Sequence, residues 1–241
     1  MIVLNDLLWD GVYKIYQDDK LFKFSLDSIL VSKFVTINKS CKNILDIGTG
    51  NAPIPMLLRR RCNSHIVGIE KQTEPYNLGL KSIEYNQLND IELINLDVKE
   101  WYKSCLPNTF DTIVTNPPYK QIKTGLQNEN IGKLISRHEI KCTLEDIIKT
   151  SNYLLKNNGE FYMVHRPDRI VDIFYLMRKY NIEPKSLKLV YPYINKEPNL
   201  MLIKGIKNAK PFLKIERPLF IYKEDGKYTE ELLKIYNKKG E

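Results

Sequence analysis

Apolar and polar positions along the chain follow two rhythms. Between residues 43 and 164 short apolar runs alternate with stretches of helical spacing. Asn43 to Ile47, His65 to Ile69, Ile91 to Leu96, Phe110 to Val114 and Glu160 to Val164 are brief and rich in Ile, Leu and Val, as buried strands are. Between them Ile54 to Arg61, Pro75 to Gln87 and Leu144 to Leu155 read as helices. Strands alternating with helices predict a parallel sheet with helices on both faces. After Pro184 the rhythm changes. Leu187 to Tyr193 and Leu200 to Ile206 are strand-like runs with no room for a helix between them, so they should pair antiparallel. Phe220 to Tyr222, an Asp225-Gly226 turn and a helix from Thr229 close the chain. Upstream, Gly11 to Phe24 reads as two short strands around the polar turn Gln17-Asp18-Asp19-Lys20. Ser25 reads as the N-cap of a helix over Leu26 to Val35. No linker, repeat or low-complexity segment interrupts the pattern. A single domain over residues 1–241 is expected, with 1–40 as an N-terminal extension and 41–241 as the core.

Composition adds limits. The chain has 241 residues, 43% hydrophobic and 27% charged, the balance of a globular protein. No apolar run approaches the ~20 residues of a membrane helix. Met1 to Asp10 carries Asp6 and Asp10 and no basic region, so it does not read as a signal peptide, and a cytoplasmic location is expected. Cys41, Cys62, Cys105 and Cys142 lie too far apart for CxxC spacing and are expected as free thiols. The three histidines are scattered, so no metal site is expected. The net charge is +8. It fits either a generally Lys-rich protein or a polyanionic partner, and composition alone does not separate the two.

Four motifs carry candidate chemistry. Asp46-Ile47-Gly48-Thr49-Gly50-Asn51-Ala52 follows the first core strand and opens a helix. Glycines there let the backbone turn sharply against a ligand. Glu70 ends the next strand, 22 residues beyond Gly48, where an acidic side chain accepts hydrogen bonds from ribose hydroxyls. The alternative is an ordinary surface Glu. With one Gly-x-Gly and no third Gly at the dinucleotide spacing, the pattern tilts from NAD toward S-adenosylmethionine. Asp97 closes the third strand and fits an adenine amino group; it fits equally the N-cap of a helix over Lys99 to Ser104. Asn116-Pro117-Pro118-Tyr119 follows the fourth strand. Two prolines stiffen the backbone. The amide oxygen of Asn116 and the carbonyl of Pro117 become two acceptors for one NH2 group, and Tyr119 offers a flat face to a base.

The ordered set resembles class I, Rossmann-like S-adenosylmethionine methyltransferases of the amino-group branch. That resemblance implies a seven-stranded, mostly parallel α/β sheet with an antiparallel C-terminal hairpin. Gln17 and Phe24-Ser25-Leu26-Asp27-Ser28-Ile29-Leu30 are similar to the N-terminal cofactor segment of bacterial tRNA-Val adenine-N6 methyltransferases, which modify the adenosine beside the anticodon, nucleotide 37. Arg137-His138-Glu139, Gly159 to Arg166, Leu219 to Tyr222 and Gly226 to Thr229 are similar too. One departure is Ala52-Pro53 where a third glycine is frequent. The resemblance implies that Phe24, Ser25 and Asp27 cover the methionine end of the cofactor. It places Asp46, Gly48 and Gly50 on its amino-acid side, Glu70 on the ribose and Asp97 on the adenine. Asn116, Pro117 and Tyr119 would take the substrate base. No general base is required, because the amino group attacks first and loses its proton afterwards.

Lys120, Lys123, Lys133, Arg137 and Lys141 are candidates for phosphate contacts with tRNA, against the alternative of a solvated loop. Lys204, Lys207, Lys210, Lys214 and Arg217 are candidates to extend that surface, and Lys238 and Lys239 read as a frayed tail. Two other functions compete: methylation of a release-factor glutamine, whose enzymes carry a helical N-terminal domain, and a catalytically idle RNA-binding protein. The intact motif set argues against the second.

Overall fold

A computed structural model describes residues 1–19, 21, 24–119 and 142–237. At the start, β1 (Ile2–Asp6) and β2 (Lys14–Asp18) pair antiparallel, and α1 (Leu26–Phe34) follows. The core then runs through β3 (Asn43–Ile47), α2 (Pro53–Arg59), β4 (His65–Ile69), α3 (Thr73–Tyr85), β5 (Ile91–Ile94), α4 (Val98–Trp101) and β6 (Phe110–Thr115). It continues as α5 (Leu144–Leu154), β7 (Leu155–His165), α6 (Ile170–Lys179), β8 (Ile182–Tyr191) and β9 (Leu200–Lys207). The two-residue strands β10 (Lys214–Ile215) and β11 (Leu219–Phe220) and helix α7 (Glu230–Ile235) end it.

The sheet order is β10-β8-β9-β7-β6-β3-β4-β5, with β11 also on β8. β5, β4, β3, β6 and β7 are mutually parallel, and β9 runs antiparallel between β7 and β8. Seven strands of four residues or more therefore form the expected class I sheet, and the two short strands trim its edge. Strand residues alternate between two buried layers, as a period of two requires. Ile44, Ile66, Val114 and Tyr162 join the layer of α1, α2 and the N-terminal hairpin. Leu45, Val67, Ile113 and Phe161 join the layer of α5 and α6.

Two elements differ from expectation. The N-terminal hairpin spans Ile2–Asp18 rather than Gly11 to Phe24. Its turn lies where Gly11, at φ +65°, donates to the Leu8 carbonyl at 3.0 Å. The polar Gln17-Asp18 pair belongs to the second strand: Gln17 is buried and bonds Asn5, while Asp18 pairs with the Met1 ammonium. Helix α6 has no counterpart in the sequence pattern. Its Val171 and Tyr175 are solvent-exposed, which blurs the apolar stripe that marks an amphipathic helix. No described helix is long and apolar enough to cross a membrane.

Candidate active site

The site residues meet because their strands are in register. Ile47 pairs with Ile69 on one side and Thr115 on the other. The chain segments leaving β3, β4 and β6 therefore emerge side by side at the carboxyl edge of the sheet, where ligands of such folds bind.

The loop after β3 is built by its glycines. Gly48 and Gly50 have φ of +74° and +57°, and a Cβ at either would point into open space. Gly48 and Thr49 donate to the Ile69 carbonyl at 2.9 and 3.0 Å. Ala52, where a third glycine was noted as absent, also takes a left-handed conformation, with φ 67°. It is fully buried, and Pro53 then fixes the first helical turn.

The buried carboxylate of Glu70 accepts from Gly50 N at 3.0 Å and from Gln72 N at 2.8 Å. It therefore organises the glycine loop, and each oxygen keeps a further lone pair for a ligand. Asp97 caps α4, accepting from Lys99 N at 3.0 Å, and pairs with Lys71 at 2.6 Å. Burial alone would raise its pKa, but Lys71 and the Lys99 amide reverse this and hold it below the usual carboxylate range. The capping alternative is realised, and the outer face of this carboxylate still borders the same edge.

Buried polar atoms without partners concentrate in these segments. Gln17 Nε2, Ser25 Oγ, both Asp46 oxygens and Thr49 Oγ1 make no hydrogen bond within the described residues. Asp46 is fully buried, and burial, with the Glu70 charge adding to it, raises its pKa to about 7. A fold seldom leaves so many polar atoms unanswered unless a ligand answers them. Unsatisfied acceptors on Asp46 fit the ammonium of an amino-acid ligand, and the open space at Gly48 and Gly50 fits its backbone. The residues present therefore suit S-adenosylmethionine. Ser25 stands at the N-cap of α1 without a capping bond from its side chain, and Phe24 packs against the core beside it.

Asn116 leaves β6 beside this loop. Its Nδ2 donates to Ser28 Oγ at 3.1 Å, and its Oδ1 lies 2.8 Å from the Tyr119 hydroxyl. That hydroxyl also donates to Asp27 Oδ2 at 2.6 Å. One proton serves two acceptors, and the charged, closer Asp27 takes the larger share. Asn116 Oδ1 thus retains capacity for another donor. Burial, with the Asp27 charge and hydrogen bond, pushes the Tyr119 phenol well above its ordinary range. Pro117 is buried, and the Tyr119 ring lies 5.1 Å from the His165 ring.

His165 and Ser28 were missed as site residues. His165 ends β7 at the same edge, is 2% exposed, and accepts from Arg166 N at 2.8 Å. Burial lowers its pKa to about 4, so the ring is neutral at neutral pH. The rule that singled out Asn116, a polar residue at a strand's carboxyl end, would have found it. Lys120, Lys123, Lys133 and Arg137 lie outside the described residues. Of the C-terminal candidates, Lys204 pairs with Glu160 at 2.6 Å and Lys214 with Glu216 at 3.0 Å. Lys207 bonds Asn108 Oδ1 and the carbonyls of Asn152 and Leu155. Among the described residues no group of three or more His, Cys, Asp or Glu gathers as a metal site.

Comparison with known proteins agrees with this geometry. Residues 25–174 match the model of the Methyltransferase small domain family. A tRNA1(Val) (adenine(37)-N6)-methyltransferase of Haemophilus influenzae is 26% identical, over 92% of this chain and 93% of that one. A release factor glutamine methyltransferase of Buchnera aphidicola is 28% identical over 64% of this chain and 57% of that one. The solved structure of a predicted O-methyltransferase from Agrobacterium tumefaciens superposes with a TM-score of 0.72 at 19% identity, covering 88% of this chain and 96% of that one. With a family match across most of its length and the sheet that goes with it, the chain belongs to the Methyltransferase small domain family and is an S-adenosylmethionine-dependent methyltransferase.

Proposed function

We propose that the chain methylates the exocyclic N6 of an adenine in tRNA, with adenine 37 of tRNA(Val) as the target. The observation that carries this reading is the Asn116-to-Tyr119 corner beside the glycine loop. Asn116 Oδ1 has acceptor capacity left, and Ser28 fixes the rest of the amide. Similarity to the tRNA1(Val) enzyme spans nearly all of both chains, whereas similarity to the glutamine methyltransferase spans 57% of that enzyme.

The cofactor supplies an electrophilic methyl group on a sulfonium. The chain's own residues do the remainder. Glu70, Asp46 and the Gly48 to Gly50 loop hold the cofactor, with Asp97 toward its adenine and Phe24, Ser25 and Asp27 over its methionine end. Asn116 Oδ1 and the Pro117 carbonyl accept the two N–H bonds of the substrate amino group, turning its lone pair out of conjugation with the ring. Tyr119 stacks on the base. His165, neutral at pH 7, lines the pocket without adding charge. The gain is one of orientation: two reactants are held at attack distance.

The test is incubation with labelled S-adenosylmethionine and two substrates, total bacterial tRNA and a glutamine peptide from a release factor. Nucleoside mass spectrometry should find N6-methyladenosine. Label in the peptide instead would transfer the case to glutamine methylation.

A further inference from the structure

The C-terminal half of α1 and the end of α2 enclose a cavity of about 130 Å³ lined by Leu8, Lys33, Leu57, Arg60, Arg61 and Asn237. Half of this lining is cationic. Lys33 Nζ donates to Asn237 Oδ1 at 3.3 Å and makes no ion pair among the described residues. The Arg61 guanidinium donates to the carbonyls of Ser32 and Val35, capping α1, and makes no ion pair among the described residues either. The carboxylate at the rim, Asp10, is held at 3.1 and 2.7 Å by the two terminal nitrogens of Arg60 and at 3.0 Å by Asn237. One carboxylate against three cations leaves two positive charges uncompensated. Burial and the two guanidinium groups accordingly push Lys33 below the ordinary Lys range, and Asp10 only partly restores it. Like charges gathered in a half-buried space are costly unless an anion joins them. An ammonium and guanidinium N–H groups around a small cavity fit the tetrahedral oxygens of a phosphate.

We propose that this cavity is a phosphate-binding site, and that in the working enzyme the phosphate belongs to the backbone of the substrate RNA. The second clause rests on the RNA reading above. Helix α1 ties the cavity to the active site: Asp27 and Ser28 stand at one end, and Lys33 follows five residues later, roughly 8 Å along the axis. Aromatic rings wall the space between. Trp9 stacks on Tyr236 with centroids 4.9 Å apart, and Tyr236 lies close enough to Asp27 to feel its charge. A strand with its target base at Asn116 would run past these rings and place a flanking phosphate between Lys33 and Arg60.

Two variants test this, Lys33→Gln and the double Lys33→Gln/Arg60→Gln; the single change keeps a polar side chain where the amine bonds Asn237 and guards against misfolding of the double. In one arm, inorganic phosphate is titrated at constant ionic strength and Tm is followed. Phosphate should raise Tm of the wild type and not of the variants. In the other arm, tRNA binding is measured against salt. The variants should bind on the order of 10-fold more weakly near 0.1 M salt, with the log–log slope flattened by about one unit per removed cation, and cofactor affinity unchanged. Phosphate stabilisation that is equal in all three proteins or absent from the wild type overturns the site, and so does an unaltered slope in the variants when the wild type methylates tRNA. If the wild type transfers no methyl to RNA, the substrate reading falls by itself, and the phosphate arm alone decides the cavity.

Discussion

The proposed chemistry rests on a few side chains at the edge, and each has a distinct expected phenotype. In the proposed reaction Asn116 holds the amino group, so Asn116→Ala should lower kcat on the order of 10²-fold, since small misplacement is expensive at attack distance. Asn116→Asp keeps an acceptor of the same shape, though it loses the donor to Ser28, and should retain more activity than alanine. Tyr119→Phe keeps the stacking ring but removes the hydroxyl shared by Asp27 and Asn116. Its transfer rate should stay within about 10-fold of wild type, while its stability falls by roughly 1–3 kcal/mol for the half-buried carboxylate left unanswered. Tyr119→Ala should lose the stacking as well, worth about 1–3 kcal/mol. Single-turnover rates and denaturant melts read the two effects separately. Near-wild-type transfer in Asn116→Ala would defeat the proposed site. Glu70→Ala removes the acceptor for Gly50 and Gln72 together, so S-adenosylmethionine binding should weaken by roughly 1–3 kcal/mol, read by calorimetry.

Elements decide where those side chains meet, and they also couple the edge to pH. Asp46 at the end of β3 is protonated up to about pH 7, so the folded state binds more protons than the unfolded one above about pH 4, and stability falls as pH rises through that interval. His165 at the end of β7 acts oppositely: its pKa is lowered to about 4, so stability rises with pH from there to about 6.5. The unliganded protein should therefore be nearly flat in stability across this window. Asp46→Asn removes one arm, and its stability should climb by up to about 3 kcal/mol over the same span. A ligand ammonium against Asp46 favours the carboxylate, so S-adenosylhomocysteine binding at pH 6 should release close to one proton in the wild type and none in Asp46→Asn. Calorimetry in two buffers of different ionisation enthalpy measures that number, and equal release by both proteins would detach Asp46 from the ligand. Strands β3 to β6 were legible in the sequence because each is an apolar run followed by a glycine turn, an acid or a proline pair. The register that aligns Ile47 with Ile69 and Thr115 was not: alternation predicts parallel strands but neither their order nor their offset. Helix α6 was hidden by exposed Val171 and Tyr175, and the hairpin by a polar pair that proved to be inside a strand. The orphaned atoms of Asp46 and Gln17 are invisible in any pattern, since only the folded environment removes their water.

At the scale of the molecule, the proposed RNA substrate raises the question of which of the many basic residues it meets. The net charge is +8, but charge in the sequence is not charge on offer. Lys204 is held by Glu160 within the β7–β9 pair, Lys214 by Glu216, and Lys207 closes the end of α5 by binding the carbonyls of Asn152 and Leu155. These lysines stabilise the sheet's far edge, where β9 ends and β10 begins, whereas the candidate site residues leave the opposite, carboxyl edge. The expected phenotypes therefore separate. Lys204→Met and Lys207→Ala should lower Tm, because a paired carboxylate or a set of helix-end carbonyls loses its partner, and should leave the salt dependence of tRNA binding unchanged. Replacing Lys120, Lys123 and Lys133 together by serine should do the reverse, with Tm unaltered, a raised apparent KM for RNA and a salt slope reduced by up to about three contacts. Cofactor affinity should be the same in every variant. A thermal melt and a binding isotherm at several salt concentrations suffice. A flattened slope in the Lys204 and Lys207 variants would place the RNA path on the far edge after all, and a full slope in the triple variant would reduce Lys120, Lys123 and Lys133 to solvated charge.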